Sequence, residues 1–451
     1  MNAKQHAEKI IAELRNAGQQ AFLVGGCVRD LLLGREPADF DICTDATPER
    51  VMAIFPETYA VGAQFGVVLV PQHKKETTGK SQECVVEVAT FRSDIGYSDG
   101  RHPDEVRFTE DPKQDVLRRD FTINGLLLDP ITNQVLDFVD GRKDLESRTI
   151  RTIGDPEQRF AEDKLRMLRA VRFASRFEYV IEPKTFQAIS QLAAQVQGVS
   201  RERVRDELTK ILTEGHARSA FLLLDQTGLL HELLPEIEAM KGVAQPPEFH
   251  PEGDVFVHTL LLLQHLPRPC SPTLAWGALL HDVGKPPTFR VAPDRIRFDE
   301  HVEVGVRMAE EICRRMRFSN DDTRQILALV DNHMRFADVQ RMKDSTFKKF
   351  VRMPHFNEHL ELHRIDCLGS HGDLTLYQFT RDKLAAMPAS VVRPAPLVKG
   401  DDLIAAGYIP GPQFKQILSA VEDGQLEGRF ENKQQAMDFV AQEFPCDAAR
   451  N

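Results

Sequence analysis

With 451 residues, 42% of them hydrophobic and 28% charged, the chain has material for about three domains of ordinary size and a substantial core. A net charge of −11 excludes indiscriminate polyanion binding, so any nucleic-acid surface has to be local. The longest apolar runs, such as Leu260–Leu263 and Leu274–Leu280, are too short to span a bilayer, and the cysteines are scattered without C-x-x-C spacing; a cytoplasmic protein with reduced thiols is expected.

Ala21–Val24 reads as a short strand and Cys27–Leu33 as the start of a helix. Between them, Gly25 and Gly26 let the backbone come close to a phosphate at a helix N-terminus. Asp39 and Asp41 follow, one residue apart. In an extended segment side chains alternate, so both carboxylates point to one face while Phe40 and Ile42 enter the core. Two carboxylates on one face suit Mg²⁺, and beside a phosphate-approaching turn they point to metal-assisted phosphoryl or nucleotidyl transfer.

Runs rich in β-formers at Val67–Val70 and Val85–Phe91 continue the pattern of an α/β domain, with a polar hairpin loop expected over Val70–Cys84. Glu87 is a candidate third metal-facing carboxylate. Ser93–Pro103, rich in Gly, Asp and Ser, reads as a mobile loop. Arg118-Arg119-Asp120-Phe-Thr-Ile-Asn124 supplies cations suited to a triphosphate and an aspartate able to accept from a ribose hydroxyl. From Arg142 to Arg176 there are ten Lys/Arg against six Asp/Glu, a local surplus in an acidic chain and so a candidate phosphate contact. Within it lies Glu162-Asp163-Lys-Leu-Arg166-Met-Leu-Arg169. Read as one helix, Asp163, Arg166 and Arg169 share a face and present an acceptor beside planar donors, as the edge of a base requires. The plainer reading is a solvated face beside the apolar stripe Leu165, Leu168 and Val171.

Strand signals nearly vanish after Gly154. Helical periodicity runs from Pro156 to the end, interrupted at Gln245–Gly253 and Pro388–Pro396. The expected fold is α+β: an α/β head with a small mixed sheet over 1–148, an all-α neck over 149–242, an all-α domain over 243–375 and a helical tail over 376–451. In the third segment His281-Asp282-Val-Gly-Lys285 follows an apolar helix, and His258, His301, His333 and Asp366 lie on separate predicted helices. Several imidazoles with carboxylates suit Mn, Fe, Ni, Co or Zn better than Ca. Lys285 is a candidate phosphate contact, and His265, His355, His359, His363 and His371 read as surplus.

In their order, the blocks over residues 20–215 closely resemble the motifs of class II tRNA nucleotidyltransferases, the CCA-adding enzymes and bacterial poly(A) polymerases. The resemblance implies that Asp39 and Asp41 are catalytic and bind Mg²⁺, and that Gly26 and Arg29 contact the incoming nucleotide. It implies that Arg119 holds the triphosphate and Asp120 the ribose 2′-OH. Asp163 and Arg166 would read CTP and then ATP as a protein template, with Arg169 assisting, and Arg92–Val106 looks like the family's flexible loop. Gly125 departs from the family pattern, which usually has Ala after the Asn.

The order H…HD…H…H…D resembles the HD phosphohydrolase superfamily in its two-metal form. It implies His258, His281, Asp282, His301, His333 and Asp366 as ligands of a divalent transition metal, and a second activity on 2′,3′-cyclic or terminal phosphates of RNA. The implied main activity is template-independent addition or repair of the 3′-terminal CCA of tRNA from CTP and ATP, with neither DNA nor a membrane as partner. Within the same family the alternatives are a poly(A) polymerase or an A-adding enzyme; Val61–Phe65 lacks the basic pair by which bacterial poly(A) polymerases resemble one another. In a reading of another class, the HD domain is the working phosphohydrolase and the head only recruits RNA.

Overall fold

The computed structural model describes residues 2–60, 66–72, 84–96, 104–248 and 250–445. Val61–Phe65, the middle of the expected polar hairpin loop, residues 97–103 of the expected mobile loop and Cys446 lie outside them. The chain divides into two compact units, Met1–Glu238 and Ala239–Asn451.

The first unit opens with α1 (Ala3–Asn16), started by a capping box between Asn2 and Gln5 and burying Ala7, Ile10, Ile11 and Leu14 at helical spacing. Its sheet holds β1 (Ala21–Val24), β2 (Asp41–Thr44), β3 (Val67–Gln72), β4 (Cys84–Thr90), β7 (Leu126–Asp129) and β8 (Gln134–Asp137), in the order β3-β4-β2-β1-β7-β8. Only β2 and β4 run parallel, so the sheet is mixed. Leu23, Ile42, Val68 and Val88 are fully buried at its centre. Around it lie α2 (Gly26–Leu32), α3 (Pro48–Ile54), α4 (Pro112–Leu117) and α5 (Gly141–Glu146). At the start of the expected mobile loop, β5 (Arg92–Ile95) pairs antiparallel with β6 (Glu105–Phe108), which follows the loop's other end.

From α6 (Pro156–Glu162) the unit is helical: α7 (Leu165–Phe177), α8 (Pro183–Leu192), α9 (Arg201–Thr213), α10 (Ala217–Gln226), α11 (Leu229–Leu233) and α12 (Pro235–Glu238). The exception is a short parallel pair, β9 (Thr149–Ile150) with β10 (Val180–Ile181).

The second unit contains α13 (Val255–Gln264), α14 (Pro272–Leu280), α15 (Lys285–Thr288), α16 (His301–Arg315), α17 (Asn320–Asn332), α18 (Asp344–Val351) and α19 (Phe356–Gly369), followed by five further helices between Thr375 and Glu443. One of them, Ala389–Val392, falls inside the expected Pro-rich break. Helix α14 is apolar nearly all round and accordingly buries every residue from Leu274 to Leu280. A small hairpin, β11 (Phe289–Val291) with β12 (Ile296–Phe298), interrupts this otherwise helical unit. Among the described residues no helix is long and apolar enough to cross a membrane.

Candidate functional site

The head site starts at Gly25, whose φ of 75° places it in a region that L side chains avoid. A Cβ there would stand 3.3 Å from Nη1 of Arg119, so the glycine turn lies directly against the Arg-Arg-Asp segment. Helix α2 begins at Gly26. The expected alternation is observed: Phe40 and Ile42 are buried, Asp41 is half-buried and Asp39 exposed. Asp41 pairs in register with Glu87 across the parallel strands β2 and β4, which puts their side chains on one face. Burial pushes the Asp41 carboxyl up to about 6, reinforced by the negative charges of Glu87 and Asp39 and opposed by Arg119. Crowded carboxylate oxygens with an unfavourably ionised member fit a hard divalent cation such as Mg²⁺.

Asp115, which the sequence reading missed, organises the cations. It is 1% exposed. One of its oxygens accepts from Arg118 Nε and Nη2 at 2.9 and 2.6 Å, and the other from Arg119 Nε and Nη2 at 3.3 and 3.0 Å. Its position three and four residues ahead of those arginines was the available signal. Asp120 accepts from Arg169 Nε and Nη2 at 2.9 and 2.6 Å and from Asn124 Nδ2 at 3.0 Å. Burial would raise the Asp120 carboxyl, but Arg169 and Asn124 outweigh it and hold it down at about 2. Arg29 is buried: its guanidinium donates to Asp30 and Asn124, at 2.8 and 2.6 Å, and lies over the rings of Phe173 and Phe177.

Asp163 does not share a helical face with Arg166 and Arg169. It sits between α6 and α7 with extended backbone, φ −146° and ψ 104°. One side-chain oxygen accepts the Leu165 amide at 3.1 Å, a local bond that competes with helix continuation. The other accepts from Arg203 Nη2 at 2.8 Å. Arg166 follows in the first turn of α7 and donates to Glu162 at 2.6 Å.

In the second unit the six expected ligands converge in two groups, His258, His281 and Asp366, and Asp282, His301 and His333. His258 Nε2 is 3.1 Å from Asp366 and 3.3 Å from His281 Nε2. His281 Nε2 lies 3.1 Å from Asp282 Oδ2, and His301 and His333 approach its Oδ1 at 4.0 and 3.7 Å. Three Nδ1 atoms are tied back by hydrogen bonds, His281 to the carbonyl of Ala278, His301 to that of Phe298 and His333 to that of Val330, while His258 Nδ1 lies 2.8 Å from the Glu252 carboxylate. Each Nε2 is thereby turned inward; those of His301 and His333 are left as acceptors, as a metal ligand needs, whereas that of His258 meets the Asp366 carboxylate. Nε2 of His301 and of His333 are buried with no hydrogen-bond partner, so the donor set fits a transition metal.

Burial pushes His333 down to about 4, whereas Asp366 and Glu252 outweigh burial and lift His258 to about 9. Lys285 donates to Asp282 and to Gln245, both at 2.7 Å. An open cavity of about 480 Å³ meets the centre at His301 and Asp366 and is also lined by Lys285, Arg295, Phe298 and His371. Sequence reasoning missed Glu252, which lies in the Pro-rich break without helical spacing to mark it. His363, set aside as surplus, stacks on Phe336 at 4.4 Å as a core residue.

A mixed sheet carrying facing carboxylates beside a glycine-turned helix, in one chain with a histidine–aspartate centre on helices, defines a nucleotidyltransferase with an HD domain. Family models agree: "Poly A polymerase head domain" matches residues 21–151, "Probable RNA and SrmB- binding site of polymerase A" 178–241, and "HD domain" 256–366. A CCA-adding enzyme of Lactobacillus helveticus is 31% identical over 433 residues, 96% of this chain and 95% of that one. That of Geobacillus stearothermophilus is 45% identical over 225 residues, a match spanning 50% of this chain and 53% of the relative. The crystal structure of the Bacillus stearothermophilus CCA-adding enzyme in complex with CTP superposes with a TM-score of 0.72 at 28% identity, covering 99% of this chain and all of that one. The chain belongs to the CCA-adding enzyme family.

Proposed function

We propose that the protein completes or repairs the 3′-terminal CCA of tRNA, using CTP and ATP without a nucleic-acid template. The observation that carries this reading is the facing of Asp41 and Glu87, with Asp39 beside them, next to the Gly25 turn and the Arg118–Arg119 pair. Asp39 and Asp41 would hold Mg²⁺, which when bound supplies charge neutralisation for the triphosphate and acidifies the primer 3′-hydroxyl. Arg119, aligned by Asp115, binds the triphosphate. Asp120, kept ionised by Arg169, accepts from the ribose 2′-hydroxyl. Asp163 and Arg166 read the base edge, and Gly26 and Arg29 shape the nucleotide end of the site. The neck over 149–242, with its cationic first part, and the tail over 376–451 hold tRNA by shape and phosphate contacts. Such a protein works in the cytoplasm.

Purified protein given tRNA lacking CCA, with CTP and ATP together, tests the reading when the products are sequenced. CCA ends support it; A-only ends indicate an A-adding enzyme, and long A-tails a poly(A) polymerase.

A second reading concerns the HD centre over 243–375. Four imidazoles with Nε2 turned inward toward two aspartates favour a metal-dependent phosphohydrolase acting on 2′,3′-cyclic or terminal phosphates of RNA. Metal such as Mn, Ni, Fe or Co, once bound, would furnish the Lewis acid. Lys285 neutralises Asp282 and stands at the cavity as a phosphate contact. Release of phosphate from RNA ends, lost in Asp282→Ala while nucleotide addition continues, is the expected result. Phosphatase activity with no nucleotide incorporation would instead make the HD domain the working enzyme.

A further inference from the structure

We infer that Arg203 is a specificity-setting positioning residue, which acts on base choice by fixing the side chain of Asp163. This rests on the proposal that Asp163 reads the base.

Asp163 occupies the break between α6 and α7 with extended backbone. Two contacts fix its side chain. The Leu165 amide holds Oδ1 at 3.1 Å, and Arg203 Nη2 holds Oδ2 at 2.8 Å. The Leu165 contact is local and travels with the turn. The Arg203 contact comes from another helix, 40 residues away. Arg203 is itself well placed, because α9 is secured to α7 by burial of Val204, Leu208 and Ile211 and, one turn beyond Arg203, by an ion pair from Glu207 to Arg172 at 2.5 Å. Arg203 can only donate, so the carboxylate it holds is presented as an acceptor.

Cytosine N4 and adenine N6 are donors at the base edge, whereas uracil O4 and guanine O6 are acceptors. An Asp163 locked as an acceptor therefore favours the two amino bases and repels the two keto bases. Without Arg203, the carboxylate swings free and both the attraction and the repulsion weaken.

The test measures kcat and KM for single additions of CTP, ATP, UTP and GTP on tRNA substrates, with thermal melting of each variant. Arg203→Ala and Arg203→Gln are expected to raise KM for CTP and ATP about tenfold and to cut discrimination against UTP and GTP by about ten- to hundredfold, the scale of one charge-assisted hydrogen bond. Arg203→Lys, which keeps a donor, should recover most of the discrimination. Equal loss of activity toward all four nucleotides with unchanged ratios would mark Arg203 as merely structural and overturn the inference. Asp163→Ala is the companion: wild-type ratios in that variant would remove the base-reading proposal itself, whereas lost ratios there with intact ratios in the Arg203 variants would sink only the role of Arg203.

Discussion

Asp41 on β2 and Glu87 on β4 are register partners across the one parallel seam of the six-stranded sheet. Two carboxylates side by side, one of them half-buried, cost the metal-free protein stability. The Asp41 carboxyl, raised to about 6 from its usual 3.8, is protonated in the fold where the unfolded chain would already have lost its proton. The penalty is absent below about pH 3.8, grows as the pH rises to about 6, and is full above that. Asp41→Asn should therefore melt higher than wild type at pH 7.5 in EDTA, an advantage that disappears at pH 4. In the same variant nucleotide addition should fall about a thousandfold or more. Equal melting temperatures of the two proteins at both pH values would show that the carboxylates do not strain the apo fold.

The Asp120–Arg169 pair has the opposite sign. Its carboxyl is held at about 2, below the unfolded value of 3.8, so the pair's stabilisation is present above pH 3.8 and lost as the pH falls through 2. The depression corresponds to about 2 kcal/mol. Urea unfolding of Asp120→Asn should show a loss of that order at pH 6 and convergence with wild type near pH 2. Unchanged stability at pH 6 would mean that the pair is balanced by its own desolvation.

Much of this was legible because it is local. The Ala21–Val24 strand is observed residue for residue, and helix α2 begins one residue before the expected Cys27, since an apolar run and a glycine pair suffice to mark them. The six HD ligands could be chosen by residue type and order, and the fold brings them together. What failed depended on distant partners. Nothing in Glu162-Asp163-Lys-Leu announces a helix break, because neither glycine nor proline is present; the break accompanies side-chain bonds to Leu165 and, from another helix, Arg203. Likewise the sequence of Arg29 cannot reveal that its guanidinium lies against Phe173 and Phe177 of α7. The β11–β12 hairpin was hidden by its three-residue strands, too short for a periodic signal.

Asp282 is the residue common to the HD centre: it lies against His281 and Lys285 and within 4.0 Å of His301 and His333. Replacement by Asn removes the charge at nearly constant volume, leaving the buried Lys285 ammonium without its carboxylate. Metal analysis after dialysis against Mn²⁺ or Ni²⁺ should show retained metal in wild type and at least tenfold weaker binding in Asp282→Asn. His301→Ala, whose side chain is 14% exposed against 1% for His281, should weaken binding less than His281→Ala. Retention of metal by all three variants would place the binding site elsewhere.

Gly125 has a φ of −93°, which would accept Ala without backbone strain. A Cβ there would nevertheless meet Val139 Cγ2 at 2.8 Å and Ile153 Cδ1 and Val116 Cγ1 at 3.1 Å. Two effects oppose each other in Gly125→Ala. Reduced freedom of the unfolded chain favours Ala by about 0.4–1 kcal/mol. Overpacking against β-branched neighbours, which cannot swing aside, costs about 1–3 kcal/mol. Overpacking is the larger, so the substitution should lower the melting temperature. Because Gly125 follows Asn124, which donates to Asp120, KM for CTP and ATP should rise as well. Adding Val139→Ala opens the space that the new methyl needs, and the double variant should recover more stability than Val139→Ala alone would suggest. If Gly125→Ala melts at or above the wild-type temperature, these three side chains have room to yield, and the glycine is not a packing requirement of this chain.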